Sequence, residues 1–211
     1  MSTTIAIDGP AAAGKGTLAR RLAAHLDFDY LDTGLIYRAV GMAVLRAGAD
    51  PAQGGPAEAA ALALRPADLD AGDLRGDDAA RAASNVAAQA PVRAALLAFQ
   101  RRFAAHPPAG RGAVLDGRDI GTVVCPDARV KLFVTASLEK RAERRLKELQ
   151  SRGLEAIQDA VLAEMRERDE RDSNRAAAPL KAADDAFVLD TSDLDADQAF
   201  AAALDIVRSK L

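Results

Sequence analysis

Residues 5–24, IAIDGPAAAGKGTLARRLAA, constrain the fold more than any other part of the chain. Residues 5–7 predict a short buried strand, residues 9–17 a glycine-rich loop, and the sequence from Leu18 onward a helix. A strand followed by such a loop and a helix is the context in which proteins hold phosphate groups. We therefore expect an α/β fold that contains a phosphate loop.

The loop follows the pattern G-x-x-x-x-G-K from Gly9 through Gly14 to Lys15. Its glycines let successive backbone N–H groups point at an anion, and Lys15 adds a mobile positive charge beside the helix N-terminus. The next residue is Gly16 instead of Ser or Thr, so the hydroxyl for Mg²⁺ is expected from Thr17. A glycine-rich turn with an incidental lysine is the alternative. The loop alone does not distinguish a kinase, a switch GTPase or an ATPase.

Size and charge narrow the class of protein. The 211 residues suffice for one α/β domain with a substantial core and a small insertion. Lysine and arginine total 28 against 31 aspartates and glutamates, and only 4% of the residues are aromatic. This balance, with few stacking side chains, argues against general nucleic-acid binding.

The single cysteine, Cys125, excludes an internal disulfide and a multi-cysteine zinc site. The first ten residues lack the basic segment and apolar run of a signal peptide, and no apolar stretch reaches about 18 residues. We therefore expect a cytoplasmic protein.

Strands and helices alternate along the chain, which predicts a doubly wound parallel sheet with helices on both faces. Besides the first strand, strands are expected near residues 28–31, in GAVLD ending at Asp116, at 130–136 and in AFVLDTSD. Helices are expected in the stretch with Ile36, Val40, Ala43 and Val44, in 77–106 with a break before Pro91, in SLEKRAERRLKELQSRG, from about Glu155 onward, and in 196–211.

Polar segments at 8–17, 32–38 and 116–119 follow predicted strands. Ligands of parallel sheets bind at the carboxyl ends of the strands, so we expect these segments to converge on one cleft. Residues 49–76 are rich in Pro, Gly, Ala and Asp and have weak periodicity, which indicates an insertion or a mobile flap.

The arginines suggest a second anion site, which a kinase with a phosphate acceptor needs and a hydrolase does not. They are Arg38 after LDTGLIY, Arg118 in DGRD, and Arg168, Arg171 and Arg175 in RERDERDSNR. In a helix, the last three would share one face, with Asp172 four residues from Arg168. Mixed Glu and Arg at this spacing also makes ordinary solvated surface, so spacing alone leaves both interpretations open.

In order along the chain, these motifs resemble the bacterial cytidylate (CMP) kinase family, a group of nucleoside monophosphate kinases. The resemblance rests on IDGPAAAGKGTLA, LDTGLIYRA, SNVAAQAPVR, LDGRDIGTVV, VKLFVTAS, RAERR and RDERDSNRAAAPL, from about residue 4 to 191. It implies a P-loop kinase with a five-stranded sheet, a mobile lid and a nucleotide-binding flap.

The resemblance also implies an organisation: one P-loop kinase domain over 1–211, a CMP-binding flap at 49–105, and a lid with the arginine-rich segment at 150–175. The family usually has a longer, β-rich insertion in the flap, whereas residues 49–76 are short and poor in strand formers. The flap is therefore expected to be shortened.

By the same resemblance, the reaction is phosphoryl transfer from ATP to CMP or dCMP, with Mg²⁺. Lys15, Arg118 and Arg175 would be catalytic, and Thr17 would contact Mg²⁺. The residues implied to bind ATP are Gly9, Pro10, Ala11, Ala12, Ala13, Gly14, Lys15, Gly16 and Thr17.

The resemblance assigns the acceptor side residue by residue. Thr33, Tyr37 and Arg38 would line it, and Arg38, Arg118 and Arg175 would contact the acceptor phosphate. Arg168 and Asp172 would contact the ribose, and Ser84, Arg93 and Asp119 would read the base.

Base reading also follows from chemistry. Cytosine offers an amino donor at N4 and acceptors at N3 and O2, which match a carboxylate and an arginine. Uracil reverses the first two positions, so a buried carboxylate would face the O4 acceptor unpaired, a mismatch that reaches roughly 10⁴-fold in discrimination. Asp119 is thus the predicted specificity residue.

The nucleophile would be a phosphate oxygen that is already anionic, so no general base is required. A chain whose two histidines, His25 and His106, are expected to be structural or exposed could therefore still be an enzyme. Because water competes as an acceptor, we expect residues 150–158 and the flap to close only when both substrates are bound.

Two alternatives remain at this point. Another P-loop small-molecule kinase, for shikimate or a different nucleoside monophosphate, would share the loop but use other acceptor contacts. A regulatory GTPase would need an N-K-x-D guanine reader, and the only asparagines are Asn85 and Asn174. The expected partners are CMP and dCMP, without nucleic acid or membrane, and we expect a monomer.

Overall fold

A five-stranded parallel sheet forms the centre of the computed structural model, which describes residues 3–211. The strand order is β2-β3-β1-β4-β5, so β2 and β3 lie on one side of β1 and β4 and β5 on the other. The strands are β1 Thr3–Asp8, β2 Asp29–Asp32, β3 Gly112–Gly117, β4 Val130–Thr135 and β5 Phe187–Asp190. The predicted parallel sheet is confirmed, and the reversal of strand order falls at β1, where such sheets bind ligands.

Eight α-helices occur among the described residues, with two short 3₁₀ helices at Pro66–Asp70 and Gly72–Arg75 and a π-helical turn at Ile120–Val124. The α-helices are α1 Lys15–Leu26, α2 Thr33–Arg46, α3 Gly54–Leu62, α4 Asp77–Ala87, α5 Ala90–Ala105, α6 Leu138–Ser151, α7 Gln158–Asn174 and α8 Ala196–Lys210. In residues 3–211, no helix is both long and apolar enough to cross a membrane.

Side chains of β1 alternate between two hydrophobic cores because successive residues of a strand face opposite sides. Ile5 and Ile7 pack with α1 and α8, whereas Ala6 packs on the other face with α2, α3, α4 and α5. Both faces of the sheet are therefore covered, which explains the continuous apolar strands.

Close contact between α2 and α4 depends on Gly41. A Cβ at this position would lie 2.7 Å from the Cβ of Ala82 and 2.9 Å from its carbonyl carbon. Because α2 carries Tyr37 and Arg38 and α4 carries Ser84, this packing sets the distance across one side of the cleft.

Two expectations need correction. Helix α1 begins at Lys15 instead of Leu18, so Lys15, Gly16 and Thr17 of the predicted loop form its first turn. Helix α7 begins at Gln158 instead of about Glu155 and ends before Arg175, which has extended dihedrals. The helix ends because the chain turns back: Leu180 N–H donates to the Asp172 carbonyl at 2.8 Å, and Arg175 Nε donates to the Ala178 carbonyl at 2.6 Å.

Candidate active site

The phosphate loop joins β1 to α1 in a conformation that requires glycine at both ends. Gly9 has φ +146°, and a Cβ there would lie 1.9 Å from the Val134 carbonyl oxygen. Gly14 has φ +92° and provides no side chain to cap α1. The first amide groups of the helix are therefore left to a ligand, as at other anion-binding helix N-termini.

Lys15 and Asp116 face each other beside this loop. Lys15 Nζ lies 3.8 Å from Asp116 Oδ1, and Tyr30 OH donates to Asp116 Oδ2 at 2.8 Å. Burial, together with the positive charge of Arg118, lowers the pKa of Lys15 to about 8. Burial raises the pKa of Asp116. Burial keeps water away from both groups, so a charged ligand would provide interactions that stabilise their ionised forms.

The position of Asp116 explains the departure at Gly16. A Cβ at residue 16 would lie 3.2 Å from Asp116 Oδ2, which is tighter than normal packing. A serine or threonine would crowd this carboxylate, so the hydroxyl stands one residue later, at Thr17. The Thr17 side chain is exposed and borders a pocket on the other side of the loop.

A single cleft brings together all ten residues that were predicted for the acceptor side. They come from α2, α4, α5, α7 and the segments after β3 and α7, and the phosphate-loop residues Lys15 and Gly16 border the same cleft. The ten are Thr33, Tyr37, Arg38, Ser84, Arg93, Arg118, Asp119, Arg168, Asp172 and Arg175. The predicted convergence of the three polar segments on one cleft is thus observed.

Asp119 lies between two arginines at one end of the cleft. Arg93 Nη2 donates to Asp119 Oδ2, and Arg175 Nη2 lies 4.0 Å from Asp119 Oδ1. The Arg93 guanidinium also stands over the Tyr37 ring, 5.5 Å from its centroid. A carboxylate acceptor and an arginine donor therefore stand side by side, as a base with both a donor and an acceptor edge requires.

The residues after β3 are held by Asp8. Its two carboxylate oxygens accept from Ile120 N–H at 2.7 Å and Gly121 N–H at 2.8 Å. Asp8 is also the last residue before the phosphate loop. One buried side chain thus links the start of that loop to the segment that carries Arg118 and Asp119.

The other end of the cleft is crowded with arginines. Arg118 Nε donates to Asp172 Oδ2 at 2.9 Å, and Arg38 Nη1 donates to the Leu74 carbonyl at 2.9 Å. Burial lowers the pKa of Arg38 and that of Arg168, to about 10 for Arg168, where the charge of Arg118 adds to the effect. Burial also lowers the pKa of Arg175, which lies at the end with Asp119. Crowded, buried cations with depressed pKa values are typical of anion-binding sites.

Two of these buried nitrogens have no hydrogen-bond partner among residues 3–211, namely Arg168 Nε and Arg175 Nη2. An unpaired buried donor is costly, and a guanidinium can only donate. A bound anion would supply acceptors for these two nitrogens.

Several features of the site escaped sequence reasoning. Asp116 was expected in the cleft as part of the segment 116–119, but its contacts with Lys15 and Tyr30 were not predicted because they are long-range. Arg145 borders a basic hollow with Lys15, Arg38, Arg118 and Arg168, and it pairs with Asp77 and Glu148. The pocket next to Thr17 is lined by Leu18, Val134 and Leu194 and by Arg144, which donates to Thr191 Oγ1 at 3.0 Å.

Comparisons with known proteins show the family of the chain. The family model described as "Cytidylate kinase" matches residues 5–209. Proteins named cytidylate kinase are similar over nearly their whole length: 77% identical in Paramagnetospirillum magneticum, with 100% of both chains covered, and 64% identical in Rhodospirillum rubrum, with 98% of this chain and 97% of the relative covered.

Solved structures share the fold at low sequence identity. The structure of TT1252 from Thermus thermophilus aligns with a TM-score of 0.51 and 19% identity, over 100% of this chain and 98% of the other. A putative kinase from Chloroflexus aurantiacus aligns with a TM-score of 0.50 and 16% identity, over 100% and 98%.

Proposed function

Because the chain belongs to the cytidylate kinase family, we propose that it transfers the terminal phosphoryl group of ATP to CMP or dCMP, which gives ADP and CDP or dCDP. The observation that carries this proposal is the cleft itself. It opens on the phosphate loop at Lys15, is lined with arginines, and holds the Asp119–Arg93 pair. It therefore suits two anionic groups and one base with both donor and acceptor positions.

ATP is the phosphoryl donor, and its phosphates would lie in the loop from Gly9 to Thr17. Lys15 and the first amide groups of α1 would neutralise them. The adenine would enter the pocket beside Thr17, because Leu18, Val134 and Leu194 give it apolar walls and the guanidinium of Arg144 can stack on a flat base.

Mg²⁺ fits the oxygen groups near the loop. The buried carboxylate of Asp116 lies next to Lys15 and Gly16, and residues 3–211 contain no cluster of three or more metal-ligating side chains. Mg²⁺ is usually held by one or two carboxylates together with substrate phosphates, so this arrangement suits it. The Asp116 carboxylate would face it from the cleft, and the Thr17 hydroxyl would approach from the pocket on the other side of the loop. When bound, Mg²⁺ would neutralise charge on the ATP phosphates.

The acceptor phosphate would bind Arg38, Arg118 and Arg175, and the ribose would contact Arg168 and Asp172. Thr33 and Tyr37 would line the space between phosphate and base. In the structure, Arg118 is paired with Asp172, and Arg38 donates to the Leu74 carbonyl. The acceptor phosphate would compete for these two guanidinium groups. Burial lowers the pKa of Arg38 and of Arg175, and an added anion would stabilise their charged forms.

Phosphoryl transfer then needs positioning and charge neutralisation. The attacking phosphate oxygen is already anionic, so no general base acts on it. We assign catalysis to Lys15, Arg118 and Arg175, which would stabilise charge on the transferred group and its two flanking oxygens. His25 and His106 are exposed and take no part.

Base recognition would rest on Ser84, Arg93 and Asp119. Asp119 would accept from the N4 amino group of cytosine, and Arg93 would donate to N3 or O2. The carboxylate is buried and already surrounded by donors, so a base with an acceptor at position 4 would leave it mismatched.

ADP release from ATP and Mg²⁺ tests this function with CMP, dCMP, UMP, AMP and shikimate as acceptors. We expect release to depend on the cytidine nucleotides. Release with shikimate or AMP alone would keep the phosphate loop but contradict the acceptor assignment. Tight guanine-nucleotide binding without any transfer would instead favour a regulatory switch.

The substrates are small nucleotides, and we propose that the chain acts on them as a monomer, without nucleic acid and in the cytoplasm. Light scattering of the purified protein with ATP and CMP tests the monomeric state, and a dimer mass would contradict it.

A further inference from the structure

One arginine of α7 has no part in the reaction above. Arg171 lies three residues from Arg168 and one from Asp172, both of which border the cleft. Its side chain reaches from α7 to α4, where Nη1 donates to Ser84 Oγ at 2.9 Å. Arg171 therefore contacts a residue to which we assign base recognition.

The direction of this hydrogen bond is fixed by chemistry. A guanidinium is always charged and can only donate, so the Ser84 hydroxyl must accept. Within residues 3–211, no carbonyl or carboxylate accepts the proton of that hydroxyl. Ser84 is buried, borders the cleft and so retains one proton to donate. A charged donor on its oxygen polarises the hydroxyl and strengthens that donation.

Arg171 is also held in place from its own helix. Its Nη2 pairs with Glu167, four residues earlier on α7, while Nη1 is bound to Ser84. Two partners fix the plane of the guanidinium, which removes freedom that a single contact would leave. The helix that carries the proposed ribose contacts Arg168 and Asp172 thereby also fixes a group at the base.

We propose that Arg171 is a positioning residue for base recognition: it holds the Ser84 hydroxyl as a hydrogen-bond donor toward O2 or N3 of cytosine. This inference rests on the proposed function of Ser84. Through Arg171, helix α7 would take part in base binding as well as ribose binding. A movement of α7 would therefore affect both the ribose contacts and the orientation of the Ser84 hydroxyl.

Steady-state kinetics of four variants test the proposal: Ser84→Ala, Arg171→Met, the double variant, and Arg166→Met as a matched control. Arg166 is exposed on the same helix. One hydrogen bond to substrate is worth a factor of up to about ten. We expect Ser84→Ala and Arg171→Met each to raise KM for CMP by about three- to tenfold, with KM for ATP and kcat changed less than about twofold.

The decisive comparison is Arg171→Met in the Ser84→Ala background, where we expect no further rise in KM for CMP. Arg171→Lys keeps a cationic donor and should recover part of the wild-type KM. An equal rise with and without Ser84 would overturn the inference, as would no rise at all in a variant that melts like the wild type. Absence of CMP-dependent ADP release from the wild type would instead contradict the proposed function.

Discussion

At the scale of single residues, the arginines of the cleft are the groups on which the rate should depend. We expect Arg118→Met to lower kcat by about 10³-fold, because a guanidinium that stabilises transferred phosphoryl charge is worth that much in related reactions. Assays with saturating ATP and CMP measure it, with Arg166→Met as the control.

The partner of Arg118 is the buried carboxylate of Asp172, so the variant also leaves a charge unpaired. Thermal unfolding of Arg118→Met separates loss of fold from loss of chemistry. A folded variant with kcat within about tenfold of the wild type would contradict the role of Arg118.

Asp8 should make stability depend on pH. Burial raises its pKa from 3.8 to about 6. A carboxyl whose pKa is raised by folding binds a proton more readily in the folded state, so its contribution to stability is present below about pH 4 and is lost as the pH rises through 6. Each pH unit between these values corresponds to about 1.4 kcal/mol.

Comparison with Asp8→Asn isolates this effect because the variant lacks the titrating group. From pH 7 to pH 5, the free energy of unfolding of the wild type should rise by about 1 kcal/mol relative to the variant. Denaturant titrations at the two values measure it. A constant or falling difference would show that Asp8 is ionised at pH 5.

At the scale of elements, the spacing of α2 and α4 should control acceptor binding. We expect Gly41→Ala to cost about 1–3 kcal/mol, since its Cβ would overlap Ala82. Gly55→Ala is the matched control: Gly55 lies in α3 with nothing within 4 Å of an added Cβ, so alanine should be neutral or stabilising.

KM for CMP should rise in Gly41→Ala because Tyr37 and Arg38 would move relative to Ser84. Denaturant unfolding and acceptor kinetics of both alanine variants measure these effects. Equal stability of the two would mean that α2 and α4 have room to separate.

Elements with local signals were predictable from the sequence. The apolar run at 130–136 became β4, the break before Pro91 separates α4 from α5, and GPAAAG became the loop before α1. The end of α7 was not predictable, because it depends on the bond from Leu180 to the Asp172 carbonyl. Local periodicity does not predict where the chain folds back on a helix.

The site was predictable only in part for the same reason. Asp116 and Tyr30 are 86 residues apart, and Ser84 and Arg171 are 87 apart. Neither pair has a spacing rule, since sheet order and helix packing bring them together. The acceptor residues were assigned from the family resemblance, and the structure adds the hydrogen bonds and ion pairs that they form.

At the scale of the whole molecule, closure should protect ATP from water. The turn between α6 and α7 contains Gly153 with φ +74° and the exposed side chains of Leu154 and Ile157. We expect ATP hydrolysis without CMP to be about a hundredfold slower or more than transfer to CMP, because the arginines reach the transferred group only in the closed state. ADP release with and without CMP measures it, and comparable rates would contradict closure.

If the buried carboxylate of Asp119 selects cytosine, as we propose, the ratio of kcat/KM for CMP to that for UMP should depend on it. Asp119→Asn keeps the shape but offers an N–H to the O4 of uracil, and the exposed Asp127→Asn is the control. We predict that the ratio falls by about 10²-fold or more in Asp119→Asn and stays unchanged in the control. An unchanged ratio in a folded, active Asp119→Asn protein would contradict the account.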